Sequence, residues 1–270
     1  MPDFRGPAER KPRVSMLTMG DKKLNGKVAV ISGASKGLGR AMALALAGEG
    51  ASIALVARHL DHLSEAEQAV RNAGGEARAF QADVSQEDQV RKLEQDVVAA
   101  FGKVDILINN AGTNIRKPVV EYTLDEWRHV VDTNLTSVFL MCRSFIPHIK
   151  GRGYGRILSM ASMMAWISLP GRTAYSATKS ALLGFTHALA LELAGEGITV
   201  NTISPGPFAT EMNAPILNNP ELHQFFISRI PLGRWGRVED IGQLALFLCS
   251  EEAGFITGTD ILIDGGWAAQ

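Results

Sequence analysis

From Gly26 onward the chain alternates short apolar, β-branched runs with longer segments whose apolar residues recur every three or four positions. The runs are KVAVIS (27–32), ASIALVA (51–57), ARAF (77–80), VDILIN (104–109), GRILSM (155–160), ITVNTIS (198–204) and DILIDGG (260–266). Helical patterns over 37–50, 60–73, 86–101, 124–149, 174–195 and 238–249 separate them. A short, nearly continuous apolar run marks a strand buried on both faces rather than one with a wet face. The alternation predicts an α/β fold: a Rossmann-like, doubly wound, seven-stranded parallel sheet with helices on both faces, in a single domain over residues 24–270. Ligands of such sheets bind beyond the carboxyl ends of the strands, so the residues that follow the strands carry the candidate chemistry.

Two helices say more. In 124–149, Leu124, Trp127, Val131, Leu135, Val138, Cys142, Phe145 and Ile149 predict one buried stripe, interrupted by Asn134. The segment 174–195 is apolar on nearly every side, which predicts that it buries a second face in a subunit interface. A homotetramer, or a dimer, through these two helices is the expectation. Residues 1–23 lack apolar period and the apolar block of a signal peptide, and are read as a flexible N-terminal tail.

Composition adds exclusions. Net charge is −1, which gives neither a nucleic-acid footprint nor a membrane-surface patch. No apolar stretch is long enough to span a bilayer. Cys142 and Cys249 each lie in an apolar helical run and read as buried free thiols of a cytoplasmic protein. No metal site is expected.

The turn after the first strand, SGASKGLG, places Gly33, Gly37 and Gly39 in the spacing G-x-x-x-G-x-G, with Ser35, Lys36 and Leu38 between them. Glycines there permit close backbone approach to a pyrophosphate at a helix N-terminus. The spacing alone fits a simple Gly-rich turn equally well; its place between strand and helix favours a dinucleotide. A P-loop is disfavoured, because no Gly-Lys-Ser/Thr occurs. After the second strand Ala57 stands where an NAD enzyme places a carboxylate, with Arg58 next and Lys36 facing the same point. Two cations without an acid suit a ribose 2′-phosphate, so NADP(H) is preferred, with NAD(H) the lesser alternative.

SGASKGLG, NNAG at 109–112, Ser162, Tyr175 and Lys179 together resemble the short-chain dehydrogenase/reductase family, in its order and spacing, from about Leu24 to Gly266. The pair Tyr175–Lys179 alone would be weak, since composition yields a Tyr-x-x-x-Lys by chance in about one such chain in ten. The resemblance implies a catalytic set of Asn134, Ser162, Tyr175 and Lys179. Tyr175 would be the acid–base group and Lys179 a cation that lowers the phenol and holds the nicotinamide ribose. Ser162 would donate to the substrate oxygen, and the Asn134 carbonyl would hold a relay water. Ser162, thirteen residues before Tyr175, is preferred over Ser159. The resemblance also implies cofactor contacts from Asp83 and Val84, from Asn110, Ala111 and Gly112, and from Pro205, Gly206, Phe208 and Thr210 beneath a lid that runs to about Arg237.

The segments NAGTNIRKP, FATEM and RIPLGRWG are similar to those of sugar-acid dehydrogenases of the gluconate 5-dehydrogenase type, which implies that Arg116 reads a substrate carboxylate. Met163, Met164, Trp166, Phe208, Met212 and Trp235 are the further pocket candidates. The alternative within the class is a 3-oxoacyl-[acyl-carrier-protein] reductase, docked through Lys150, Arg152 and Arg156. The alternative from another class is a non-catalytic NADP-binding regulator, disfavoured because all four chemical residues are present.

Overall fold

The structure, a computed structural model, describes residues 22–270. Seven parallel strands form one sheet in the order β3-β2-β1-β4-β5-β6-β7: β1 Val28–Ser32, β2 Ser52–Ala57, β3 Glu76–Gln81, β4 Ile106–Asn109, β5 Gly155–Met160, β6 Ile198–Pro205 and β7 Asp260–Ile263. The strand order reverses between β1 and β4, where Ala29, Val30 and Ile31 pair with Ile106, Leu107 and Ile108. Alternation along each strand feeds two cores. Ala29, Ile31, Ile53, Leu55, Ile106 and Ile108 enter one layer, with α1 (Gly37–Gly48), α2 (Leu60–Asn72) and α9 (Val238–Cys249). Val30, Ala54, Val56, Leu107 and Ile157 enter the other, with α3 (Glu87–Phe101), α5 (Ser137–Ile149) and α6 (Thr173–Leu193). Burial on both sides is why these strands read as continuous apolar runs. The lid carries two short helices, α7 Ala214–Leu217 and α8 Pro220–Ile227.

The expected long helix is not uniform. α4 (Leu124–Val131) opens with a capping box in which Thr123 and Glu126 satisfy each other's backbone N–H groups. A π-helical turn, Asp132–Thr136, then precedes α5. Such turns shift the register of a helix and cluster at functional sites; this one carries Asn134, fully buried. The predicted stripe is therefore buried from Val138 to Ile149, Leu135 packs against the same core, and the α4 part departs from it. Val130 rather than Val131 is buried, and Leu124 is exposed.

Residues 1–21 of the expected tail lie outside the described residues. At the end of that segment the Lys23 N–H donates to Glu49 (3.1 Å), and its Nζ pairs with Glu252 (3.2 Å). Of the three cations of the basic loop before β5, Lys150 is exposed and the other two are engaged within the chain. Arg156 is buried and donates twice to the Ser250 carbonyl (3.2 and 3.0 Å), while Arg152 pairs with Asp105 (3.3 Å). These residues lie at the amino end of β5, the end of the sheet away from the site. Both cysteines are free and buried, and burial pushes both thiols up to about 12. Among the described residues no helix is long and apolar enough to cross a membrane, and no cluster of metal-ligating side chains occurs.

Candidate active site

The carboxyl ends of β1, β2 and β4 flank the reversal and open onto one cavity of about 510 Å³, a volume in the range of small-molecule and cofactor sites. The β1 end is built by hydrogen bonds. Ser32 Oγ accepts from the Asn110 and Ala111 N–H groups (3.0 and 3.1 Å), and Asn110 Nδ2 donates to the Ser32 and Gly33 carbonyls, both at 3.0 Å. The NNAG segment thus fixes the glycine turn, and Asn110 lines the cavity while doing so.

Gly33 and Gly37 have φ of +63° and +55°, values that favour glycine. A Cβ on Gly39 would lie 2.3 Å from the Gly33 carbonyl oxygen, so Gly39 sets turn–helix spacing and does not line the cavity. Lys36 precedes α1 and makes no side-chain cap bond. Ser35, Lys36, Gly37 and Leu38 line the cavity around the amino end of α1, where backbone N–H groups and the helix dipole suit a pyrophosphate. This backbone cradle, lined by Gly33 and Gly37, fits a dinucleotide.

At the next strand ends lie Ala57 and Arg58, then Asp83 and Val84. Ser85 donates to Asp83 Oδ1 through its N–H (3.0 Å) and hydroxyl (2.7 Å), holding that carboxylate in place. His59 and His62 also line this end and escaped the sequence reading, although they flank Arg58 in the chain. Pro205, Gly206, Phe208 and Thr210 close the opposite wall with Glu211 and Asn213, two further residues the sequence reading passed over.

Ser162, Tyr175 and Lys179 meet at the inner end of the same cavity. Ser162, just past β5, caps a short 3₁₀ turn by accepting from the Met164 N–H (3.1 Å). Burial raises the phenol above its ordinary range; the Ser162 hydroxyl and the Arg172 and Arg116 charges pull it down. Ser162 and two arginines thus lower the phenol, in addition to the part expected of Lys179 from the sequence. Lys179, 4% exposed, is pushed down to about 8 by burial. Its Nζ donates to the Met160 carbonyl (2.5 Å) and lies 5.6 Å from the Tyr175 ring centre.

Asn134 stands behind this set. Its Oδ1 accepts from the Thr113 N–H (2.7 Å), and its Nδ2 donates to the Thr113 carbonyl (2.9 Å) and to Thr178 Oγ1 (3.1 Å). The side-chain carbonyl thus already accepts one bond from Thr113, and its second lone pair and the backbone carbonyl are left for a relay water. Ser159 is buried in β5 beside Asn109 (3.5 Å), away from the phenol.

The substrate candidates divide. Met163, Met164 and Trp235 join Ile216, Phe226 and Trp267 in a third apolar cluster under the lid, against which Tyr175 packs. Phe226 stacks on Trp235 with ring centres 5.6 Å apart. Trp166 does not face the site: it is 58% exposed, and its Nε1 donates to Asp260 at the start of β7 (2.6 Å). The Met212 side chain lies outside the described residues.

The Arg116 charge does act on the phenol, as does that of Arg172, unnoticed in the sequence three residues before Tyr175. Their two loops touch, since a Cβ on Gly171 would lie 3.5 Å from the Lys117 nitrogen. Burial and the Arg116 charge push Arg172 down to about 10; the groups pulling it up are the Tyr175 and Tyr122 phenols, with no carboxylate among them.

Comparison with known proteins agrees with this geometry. The family model described as enoyl-(acyl carrier protein) reductase matches residues 33–268. A 2-dehydro-3-deoxy-D-gluconate 5-dehydrogenase of Pseudoalteromonas atlantica is 38% identical over 251 residues, 92% of this chain and 98% of the relative. The 3beta-hydroxysteroid dehydrogenase 1 of Eggerthella lenta is 39% identical over 245 residues, 90% and 94% of the two chains. Among solved structures, one from Beutenbergia cavernae, described as an NAD(P)-dependent gluconate 5-dehydrogenase with NADP bound at low occupancy, superposes with a TM-score of 0.88. It is 37% identical, and the match covers 93% of this chain and all of that one.

Proposed function

The chain belongs to the short-chain dehydrogenase/reductase family of oxidoreductases, and on that premise we propose that it interconverts the secondary alcohol and ketone of a sugar acid with NADP(H). When bound, the cofactor supplies or accepts the hydride. Its pyrophosphate would lie at the amino end of α1 and its 2′-phosphate between Lys36 and Arg58.

The chain's own residues handle the proton and the geometry. Tyr175 delivers a proton to the carbonyl oxygen in reduction and removes it in oxidation. Ser162 donates a hydrogen bond to that oxygen, where charge develops, and so fixes it against the phenol. Lys179 adds a buried cation near the phenolate form. Asn134, locked by Thr113 and Thr178, holds the β4–α4 loop against the helix that carries Tyr175 and Lys179.

The substrate class rests on one observation: the charges of Arg116 and Arg172 both act on the reactive phenol, and no carboxylate acts on Arg172, the more buried of the two. Guanidinium pairs carboxylates bidentately. Asn114 Oδ1, in the same loop, is buried with no partner, an acceptor suited to a substrate hydroxyl. A steroid, the substrate class of one relative by its name, would leave both charges unanswered.

Replacing either arginine should therefore act on binding of the acid. For Arg116→Ala and Arg172→Ala, KM for a keto sugar acid should rise about ten- to a hundredfold, the loss of a charged hydrogen-bonded contact. KM for an acetoacetyl thioester should change by less than about threefold, because that substrate lacks the carboxylate. Equal losses on both substrates would refute the assignment of the pair to a substrate anion.

The same reading makes the protein a cytoplasmic homotetramer or dimer. In support, the outer side of α6 is lined by Ala177, Ser180, Gly184 and Ala188 with Leu191 exposed, and Phe139 is exposed on α5. Small residues permit close helix approach, and exposed apolar groups seek cover.

A further inference from the structure

The end of the cavity next to Arg58 carries two side chains that the cofactor reading leaves without a task. His59 immediately precedes α2 and makes no side-chain cap bond; His62 stands one turn further along. Their ring centres are 6.3 Å apart with planes at 84°, so the two rings stand edge to face, and both line the cavity with Lys36 and Arg58. The amino end of α2 adds its own partial positive charge at the same place.

We infer that His59 and His62, in their protonated forms, bind the ribose 2′-phosphate and make the preference for the phosphorylated cofactor depend on pH. The inference rests on the NADP(H) reading above. Imidazole is the side chain that ordinarily changes charge between pH 5 and 8. A phosphate monoester loses its second proton near pH 6. Between pH 6.5 and 8.5 the phosphate is therefore mostly a dianion throughout, while imidazole passes from partly charged to neutral, and attraction weakens as pH rises.

The other charges around the pair are Asp61 and Glu65 on α2 itself, Asp83 beyond β3, Lys36 from the β1–α1 turn and Arg58 at the end of β2. Arg40, the only charged residue of α1, lines the groove on the α9 side instead. Lys36 and Arg58 keep their charge across this pH range, so they set a constant preference, and the histidines add a variable one.

The experiment measures dissociation constants of NADPH and NADH by nicotinamide fluorescence at pH 6.5, 7.5 and 8.5, for the wild type and the double variant His59→Gln, His62→Gln. Both side chains are exposed, so the variant keeps the fold, and NADH binding serves as the internal control. The wild-type ratio of NADPH to NADH affinity should fall about tenfold from pH 6.5 to 8.5, the sum of two exposed charged contacts. The variant's ratio should match wild type at pH 8.5 and stay flat within about twofold. A wild-type ratio that stays flat while NADPH remains preferred, or a variant that keeps the wild-type slope, overturns the histidine assignment alone. NADPH bound no tighter than NADH at every pH overturns the cofactor reading, and the histidine assignment with it.

Discussion

Tyr175→Phe should lower turnover by about a thousandfold or more while changing the dissociation constant of the cofactor by less than about twofold. The substitution removes one oxygen and keeps the ring that packs against the apolar cluster under the lid. What is lost is the proton donor and acceptor at the reacting oxygen, a contribution of about 10²–10⁴ in rate. The phenol is raised by burial and lowered by Ser162, Arg172 and Arg116, so a bound substrate carboxylate, by neutralising the arginines, would raise it again. That coupling favours the protonated phenol when a keto acid arrives, the state that reduction needs. Turnover within about tenfold of wild type would show that another group moves the proton.

Lys179→Met should abolish turnover, by a hundredfold or more, and at the same time stabilise the fold at pH 7. The ammonium is pushed down to about 8 from an ordinary 10.5 by burial alone. That shift corresponds to about 3 kcal/mol against the folded state. Losing the bond to the Met160 carbonyl returns about 1 kcal/mol. A net gain of about 2 kcal/mol should raise Tm by about 5 °C in a chain of this size. The sign with pH follows from linkage. Between pH 8 and 10.5 the unfolded chain binds this proton and the folded one does not, so the wild type gains stability as pH rises through that window. The stability gap between variant and wild type should therefore be largest below pH 8 and close toward pH 10.5, as read by thermal melts across that range. A variant less stable than wild type at pH 7 would show that the lysine holds the fold rather than straining it.

The sheet was legible because parallel strands covered on both faces leave an unbroken apolar signature, as in VAVIS and ILIN. The nucleotide end was legible because its chemistry is local: the glycines, Lys36 and Arg58 lie within one βαβ unit. What stayed hidden depends on register or on long-range approach. Asn134 falls on a plausible 3.6-residue stripe, and nothing in the residue types announces the π turn that moves Val131 off the core side. Trp166 reads as a pocket aromatic until the turn after Ser162 carries it outward to Asp260. Arg172 gains meaning only when the loop before α6 folds against the one holding Arg116. Arg156 reads as surface charge because no periodicity reveals that its partner is the Ser250 carbonyl, 94 residues away.

The central claim is tested most directly by following the nicotinamide absorbance of NADPH while purified protein is offered keto sugar acids, a 3-ketosteroid and an acetoacetyl thioester in parallel. Oxidation of NADPH with kcat/KM highest for a keto sugar acid is the predicted result. Efficient turnover of the steroid or the thioester, with none of the acids accepted, would contradict it.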